Sequence, residues 1–508
     1  IKILPREYQK AIVETAKEFN TLVVLPTGIG KTLIALMLSV ETIKKFPGKK
    51  ILILAPTRPL VEQHLESFKN NLNELFAEID IFTGSVDAKK RQKIWRNAEI
   101  IFSTPQCIAN DVRKGLYNLE NVSLLVIDEA HRCLKNYDYT FVANAYKSQS
   151  MNQRILGLTA SPGSDKARVQ QICKNLDIEK LEIRNRDSED VKPYLQELNI
   201  EKHEVPFPKE FIEIQVLLKR IYSNKVEQLR NRNLLFEPAN KITLLKLQNR
   251  LASQVTPGNF NVMIGMSLCA QAIKVSHALE LLETQTISGL NEYLKGLEKQ
   301  AIEKKSKGVQ TLVNSPEFKA ARLSINKLIE NKIEHPKIEE LKALIENEIK
   351  NDEKTKVMVF TQYRETANII VNKLNEIGKI KAKTFVGQKK LQSSSGNSGL
   401  SQKEQKQVIE EFKEGVVNVL CATSIGEEGL DIPEVNVVYF YEPIPSEIRR
   451  IQRAGRTARL SKGKLAILIT KGTRDEAHHY AAIARERKMK KTIESVKEDL
   501  KNKTLEDY

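Results

Sequence analysis

Cysteine and tryptophan are scarce in this chain of 508 residues, which has five Cys and one Trp. The cysteines (Cys107, Cys133, Cys173, Cys269 and Cys421) are odd in number, far apart and form no CxxC pair. That excludes a disulfide-stapled secreted scaffold and suits a reducing cytosol, with the thiols as small core fillers. Long apolar runs are missing as well: no uninterrupted stretch of about 18–20 apolar residues predicts a membrane span. No basic-then-apolar leader opens the chain, and Ile1 follows no initiator Met, so we expect a trimmed N-terminus and a cytoplasmic protein. Disorder is excluded by composition, which is 41% hydrophobic and 29% charged. What the chain has in excess is positive charge, 81 Lys+Arg against 64 Asp+Glu, a formal +17. Such a balance admits an anionic partner such as nucleic acid, although a surplus of Lys is also common on soluble surfaces.

At roughly 100–200 residues per domain the length predicts about three domains. Two segments share one texture, short Val/Ile/Leu runs alternating with amphipathic stretches. The runs are 21–25, 51–55, 100–104, 124–127 and 155–159 in the first segment, and 357–361, 383–386, 417–422, 437–441 and 465–470 in the second. Apolar runs this short, separated by helical patterns, predict strands of parallel sheets covered on both faces. Between the segments, from about 205 to 330, apolar residues recur at helical spacing, as in Leu217, Leu218, Ile221 and Leu244, Leu247, Leu251. This predicts an all-helical insertion. It holds 17 Lys+Arg and 10 Asp+Glu over 211–330, a good share of the excess charge. The expected partition is an α/β lobe over 1–200, a thumb-like insertion over 201–334 whose Lys and Arg contact nucleic-acid phosphates unless it is merely a structural spacer, and a second α/β lobe with a helical tail over 335–508. The Ser/Gly/Asn stretch 393–399 predicts a mobile surface loop without chemistry.

The first apolar run leads into Leu25-Pro26-Thr27-Gly28-Ile29-Gly30-Lys31-Thr32, followed by a helical pattern. A strand, a Gly-containing loop and a helix aim backbone N–H groups at phosphates. Lys31 would reach the β- and γ-phosphates of ATP, and the Thr32 hydroxyl would ligate Mg²⁺. The strict pattern wants Gly where Leu25 stands, so this evidence is partial. A second motif completes it. The apolar strand 123–127 delivers Asp128-Glu129-Ala130-His131 at its carboxyl end, where ligands of parallel sheets sit. Asp128 would hold Mg²⁺ and Glu129 would polarise the attacking water. His131 has no His or Cys partner at metal-ligand spacing and is expected to couple sites through hydrogen bonds.

Taken in order, these and later motifs resemble the superfamily 2 helicases over nearly the whole chain. Gly28-Ile29-Gly30-Lys31-Thr32 looks like that family's phosphate loop, and Asp128-Glu129-Ala130-His131 like its DEAH box. Pro56-Thr57-Arg58 and Thr104-Pro105 resemble the motifs that hold the sugar-phosphate backbone. Thr159-Ala160-Ser161 resembles the motif linking the ATP and strand sites. In the second lobe, Gln362-Tyr363-Arg364 resembles motif IV, and the segment from Thr423 to Asp431 resembles motif V. Gln452-Arg453-Ala454-Gly455-Arg456-Thr457-Ala458-Arg459 resembles motif VI, with Ala458 where Gly is usual. The resemblance implies two RecA-like lobes, with Gln452, Arg456 and Arg459 completing the ATP site as the lobes close. Near the start, Arg6 and Gln9 resemble the adenine-reading Q motif. A long helical insert between lobes resembles archaeal Hef and the Fanconi-anaemia M-type fork remodellers, and also Dicer and the innate-immune RNA sensors. Sequence detail around Leu25 and in 157–164 and 363–367 looks closest to the helicase portion of Hef.

That resemblance implies an ATP-dependent helicase or translocase on branched DNA, with ATP and Mg²⁺ as cofactors. Its partners would be branched, single-stranded or double-stranded DNA, with a sliding clamp or other repair proteins as further candidates, and no membrane. The rivals are a double-stranded-RNA-activated ATPase and an ATP-switched clamp without processive unwinding. Glu486-Arg487-Lys488 echoes a nuclease signature but lacks the preceding Gly-Asp, and Thr492 stands where its last Asp should be. We therefore expect the charged face of a terminal helix there, and no nuclease. The Ile- and Lys-rich composition suits a thermophilic archaeal source, placing the protein in the cytoplasm beside the nucleoid.

Overall fold

A computed structural model describes the chain except residues 74–75, 85, 135–136, 257, 388–399, 424–431, 445, 447–452, 455–456, 458–462 and 507–508. The first lobe runs α1 (Glu7–Glu18), β1 (Thr21–Val24), α2 (Lys31–Lys45), β2 (Lys50–Leu54), α3 (Arg58–Asn71), β3 (Ile79–Phe82), α4 (Ala88–Asn97), β4 (Ile100–Ser103), α5 (Pro105–Arg113), β5 (Val122–Asp128), α6 (Asp138–Gln149), β6 (Ile155–Thr159), α7 (Lys166–Asn175) and β7 (Lys180–Ile183). Strand β8 (Leu198–Val205) leads into the insert, formed by α8 (Lys209–Asn231), α9 (Lys241–Ser253), α10 (Phe260–Thr284), α11 (Ile287–Ile302), α12 (Lys307–Val313) and α13 (Pro316–Glu330). The second lobe follows with α14 (Pro336–Asn351), β9 (Val357–Phe360), α15 (Arg364–Leu374), β10 (Ala382–Phe385), α16 (Gln402–Lys413), β11 (Val419–Ala422), β12 (Val437–Phe440), β13 (Gly463–Thr470) and the terminal helix α17 (Arg474–Glu506).

Both sheets are parallel. The first has the order β3-β4-β2-β5-β6-β1-β7 and the second β10-β11-β9-β12-β13-β8. The central strands are buried on both faces, so their sequences read as unbroken apolar runs. Two apolar layers sandwich the first sheet: one holds Leu22, Leu52, Leu125 and Tyr146, the other Val23, Ile53, Val126 and Ile34. The alternation of Leu22 and Val23 between the layers is the period-2 geometry of a strand.

Strand β8 crosses the expected boundary at residue 200. It pairs with β13 over Leu198–Val205, and Lys464 clamps it by reaching Glu201 at 2.8 Å and Glu348 of α14 at 2.9 Å. The second sheet is therefore begun by the segment that leaves the first lobe and completed only after the insert. Helix α10 is long and apolar enough to cross a membrane by composition. Its Leu268, Cys269, Val275, Leu279 and Leu282 instead form the core of the insert.

Helix α17 starts in the second lobe and ends on the first. At its start Asp475 accepts from the Lys337 Nζ at 2.7 Å, and the same ammonium donates to the carbonyls of Thr284 at 2.7 Å and Tyr441 at 3.0 Å. Lys337 and Asp475 are both fully buried, and all three ammonium donors are used. At its far end Met489, Ile493 and Val496 enter the core of the first lobe beside Val169, Ile172 and Leu176. Arg487 and Lys488 point to solvent from this helix, as expected for its charged face.

Candidate functional site

The phosphate loop is shaped by two glycines in the left-handed region, Gly28 at φ 84° and Gly30 at φ 87°. Gly30 is the N-cap of α2, and its left-handed φ disfavours any larger residue, whose Cβ would also have to displace the Gln9 Nε2. From α1, the Tyr8 hydroxyl donates to the Ile29 carbonyl at 2.5 Å, and the Gln9 Nε2 donates to the Gly30 carbonyl at 3.3 Å. The Gln9 Oε1 accepts from the Arg6 N–H at 2.9 Å. Gln9, expected to read adenine, thus has its amide turned into the loop carbonyls. Arg6 lies over the Tyr194 ring, 5.1 Å from the centroid, and donates to the Tyr8 hydroxyl.

Lys31 opens α2, and its Nζ donates to the Leu25 carbonyl at 3.2 Å. No carboxylate lies within ion-pair distance of it among the described residues. Beside it the buried Thr27 hydroxyl has no hydrogen-bond partner. A paired ammonium would be a structural tie; this one is held by a single carbonyl. Together the lysine, the orphan hydroxyl and the two glycines fit a polyphosphate, with Thr32 one residue into the helix.

Asp128 and Glu129 sit where β5 ends, and both are buried. The His64 Nε2, from α3, lies 2.8 Å from the Asp128 Oδ2, and the Tyr139 hydroxyl donates to the Asp128 carbonyl at 2.8 Å. Burial pushes the Asp128 carboxyl up, but the His64 hydrogen bond and charge, the Lys31 charge and the Glu129 N–H together hold it below the usual carboxylate range. A carboxylate kept ionised near Lys31 suits a divalent cation that takes one or two protein ligands and otherwise phosphate and water. Glu129 has the left-handed φ of 52°, a strain that a non-glycine residue pays only where surroundings enforce it.

The His131 Nδ1 lies 3.2 Å from the Glu129 Oε2 and 3.1 Å from the Thr159 Oγ1. Thr159 in turn donates to the Ser161 carbonyl and accepts from the Ser161 N–H, each at 3.1 Å. The residues expected to couple sites, His131, Thr159 and Ser161, therefore form one buried hydrogen-bonded chain, while the Glu129 Oε2 beside His131 has no hydrogen-bond partner. The hydrogen-bonded chain continues into the terminal helix, because the Ser161 hydroxyl donates to the Met489 sulfur at 2.8 Å and Thr492 donates to the Ser164 carbonyl at 3.2 Å. Beside it a cleft of about 700 Å³ opens between the lobes, lined by Pro26, Thr27, Leu198, Ala454, Leu465 and Met489.

The candidate backbone-binding residues stand at two helix N-termini. Thr57 is the N-cap of α3 and Thr104 that of α5, with Pro105 in its first turn. Their preceding strands, β2 and β4, are neighbours, so Pro56, Thr57, Arg58, Thr104 and Pro105 lie together at the carboxyl ends of two adjacent strands. Helix N-termini attract phosphates, and the Thr57 hydroxyl is buried without a partner. Arg58 pairs with Glu62 at 2.8 Å, and Glu62 also meets Lys406 of the second lobe at 3.4 Å.

In the second lobe the expected residues follow two neighbouring strands, β9 and β11, and differ in what their side chains and backbone meet. Arg364 donates to the Gly387 carbonyl at 2.8 Å, and the Thr423 N–H donates to the Phe385 carbonyl at 3.3 Å. The Gln362 N–H donates to the Glu442 Oε1 at 2.5 Å. Tyr363 is turned toward the insert: its hydroxyl donates to Glu280 at 3.3 Å and its ring packs 5.6 Å from that of His277. Asp431, Gln452, Arg456 and Arg459, as well as the expected loop at 393–399, lie outside the described residues. Sequence reading missed His64, Tyr8, Tyr139 and Met489. A single His or Tyr inside an amphipathic helix carries no periodic signal that separates it from a core or surface residue.

Comparison with known proteins follows the same division. The family described as DEAD/DEAH box helicase matches residues 6–169, and the one described as Helicase conserved C-terminal domain matches 336–461. The family "Putative ATP-dependent RNA helicase, helical bundle" matches 210–335. Over 97% of its length the chain is 39% identical to a protein of Methanocaldococcus jannaschii that bears the name of a putative ATP-dependent RNA helicase, of which it covers 61%. It is 32% identical to the ATP-dependent DNA helicase mph1 of Sclerotinia sclerotiorum, covering 93% of this chain and 40% of that protein. The chain thus spans less than two thirds of these curated relatives. The crystal structure of the Hef helicase domain of Pyrococcus furiosus superposes with a TM-score of 0.71 at 42% identity, covering 94% of this chain and 98% of that one.

Proposed function

Because the chain belongs to the superfamily 2 DEAD/DEAH-box helicases, ATP-dependent enzymes, we propose that it is a helicase or translocase that remodels branched DNA such as stalled forks during repair. One observation carries this reading. The match to the Hef helicase domain extends over both lobes and the insert, covering 94% and 98% of the two chains. In this reading Lys31 holds the β- and γ-phosphates of ATP, and Gly28, Ile29 and Gly30 present backbone N–H groups to them. Thr32 and Asp128 would hold Mg²⁺, which would supply charge neutralisation when bound. Glu129 orients the attacking water, held in place through His131. Gln452, Arg456, Arg459 and Asp431 complete the site from the second lobe, and arginines so placed contribute about 10³–10⁵ in rate. Arg6 and Gln9 read adenine, for which the Gln9 amide must turn out of the loop. The α3 and α5 N-termini hold one strand's phosphates, with Gln362, Arg364 and Thr423 opposite. Tyr363 reaches DNA only by leaving the insert. A sliding clamp or another repair protein is a further candidate partner.

A second reading, a double-stranded-RNA-activated ATPase, is favoured by the description of the family matching the insert. ATPase stimulation by forked DNA, linear duplex DNA and duplex RNA at one salt concentration decides between them. We expect the fork to stimulate most. Duplex RNA stimulating as well or better would transfer the assignment to RNA.

A further inference from the structure

A carboxylate lies buried in the second lobe between two helicase motifs, and none of the roles assigned so far uses it. Strands β9 and β12 are neighbours and end side by side at Phe360 and Phe440. Two residues beyond these ends stand Gln362 and Glu442, and the Glu442 Oε1 accepts from the Gln362 N–H at 2.5 Å. Glu442 is 2% exposed, and its Oε2 is buried with no hydrogen-bond partner among the described residues. Lys337 of α14 faces this carboxylate with its charge, but its donors are taken by Asp475, Thr284 and Tyr441. Asp475 of α17 opposes it with a like charge.

The remaining charge on Glu442 comes from Arg453 of motif VI. Arg453 is fully buried, and its guanidinium lies over the Phe360 ring, 4.8 Å from the centroid. A guanidinium taken out of water needs an opposing charge, and Glu442 supplies one. Four residues on, Thr457 is fully buried as well. Its hydroxyl donates to the Asn436 carbonyl at 3.1 Å, and it forms a parallel bridge with Val435. The Asn436 Oδ1 accepts from the Lys356 N–H at 2.8 Å, which ties this pin to the start of β9. Motif VI is thus held from beneath at Arg453 and Thr457. In sequence Arg456 falls between the two pins, and Arg459 two positions past the second.

Glu442 differs from an ordinary structural tie. Burial pushes its carboxyl up to about 7 against the opposing charges of Lys337 and Arg453, so its ionised form is unfavourable in the fold. A neutral Gln of the same shape would accept from the Gln362 N–H without that penalty. Carboxyls displaced so far, at a specific charge partner, gather at working sites. We propose that Glu442 is a positioning residue for ATP hydrolysis: Oε1 holds motif IV while the carboxylate charge holds Arg453, fixing motif VI so that Arg456 and Arg459 are presented to the γ-phosphate. The inference rests on the finger role proposed for Arg456 and Arg459 and names what positions them. Glu442 itself touches no nucleotide.

Glu442→Gln and Arg453→Met, singly and together, test this against Arg459→Ala as reference, by ATP turnover with forked DNA. The measurement belongs at about pH 8, where the Glu442 carboxyl is ionised. Glu442→Gln should lower kcat by about tenfold to a hundredfold, the scale for a displaced catalytic group. KM for ATP should stay within about twofold, and thermal unfolding should come no earlier than in the native chain. The double variant should lose no more than the larger single loss, because the two residues act as one unit. A normal kcat in Glu442→Gln overturns the proposal, as does a fall in kcat accompanied by earlier unfolding. Losses that multiply in the double variant overturn it too. If Arg453→Met fails to fold, the Glu442→Gln result decides alone. Normal turnover in Arg459→Ala would remove the finger role itself, whereas slow Arg459→Ala beside normal Glu442→Gln would remove only the positioning role.

Discussion

The two ends of α17 hold the molecule together in different ways. At its start the Lys337–Asp475 pair is fully buried, and the lysine also ties down Thr284 of the insert and Tyr441 of the second lobe. At its far end the Lys166–Asp499 pair is 44% and 41% exposed, around a foot of Met489, Ile493 and Val496. Gln285 adds to the first joint, since its Oε1 accepts from Thr366 at 2.9 Å and its carbonyl accepts from Tyr441 at 3.2 Å. Insert and second lobe are thus joined through buried polar ties, whereas the first lobe meets α17 through an apolar foot and an exposed ion pair. If the lobes close on ATP, the insert travels with the second lobe, and the foot of α17 on Ser161 and Ser164 is where that movement reaches the coupling residues.

The largest expected effect lies outside both joints. Lys31→Ala should lower ATP turnover by about 10²–10³-fold, the usual scale for losing one charge-stabilising donor, without shifting thermal unfolding. Turnover close to normal would remove the phosphate-site assignment. At the buried joint, Lys337→Ala should cost about 3–5 kcal/mol in denaturant unfolding, because it strands Asp475 without a partner. A loss below about 1 kcal/mol would mean that the joint is not the firm one.

Glu442 lies in the same region as the buried joint, and its carboxyl is pushed up to about 7 by burial, against the opposing charges of Lys337 and Arg453. The folded state then binds this proton more tightly than the unfolded chain does. Its contribution is complete below the unfolded carboxylate pKa near 4.5 and is lost as pH rises through about 7. At about 1.4 kcal/mol per unit, the loss is on the order of 3 kcal/mol. Glu442→Gln, which keeps an acceptor for the Gln362 N–H, should flatten the fall in stability between pH 5 and 8. An unaltered slope would place the titration elsewhere. The smallest effect belongs to the exposed pair: Asp499→Asn should change stability by about 0–1 kcal/mol, and a loss matching Lys337→Ala would erase the contrast between the ends.

Much of this was legible in the sequence. Interior strands such as Ile51–Ile53 and Leu124–Ile127 announce themselves because both faces are buried. The strands β3, β7 and β8 did not, since Ile79–Phe82, Lys180–Ile183 and Leu198–Val205 lie at sheet edges with polar residues interleaved. The phosphate loop and Asp128-Glu129-Ala130-His131 were legible because their chemistry needs fixed residues at short spacing. His64 and the Lys337–Asp475 joint were not: their partners lie 64 and 138 positions away, and no local pattern links them. The excess positive charge of the insert was legible in the sequence, but which of its apolar side chains stay in solvent depends on packing.

The most direct test is strand displacement on a forked DNA followed together with ATP hydrolysis. The account predicts displacement that requires hydrolysis, stops with a non-hydrolysable analogue and is lost in Lys31→Ala. Fork-stimulated hydrolysis without any displaced strand or moved branch would contradict it and leave an ATP-switched clamp.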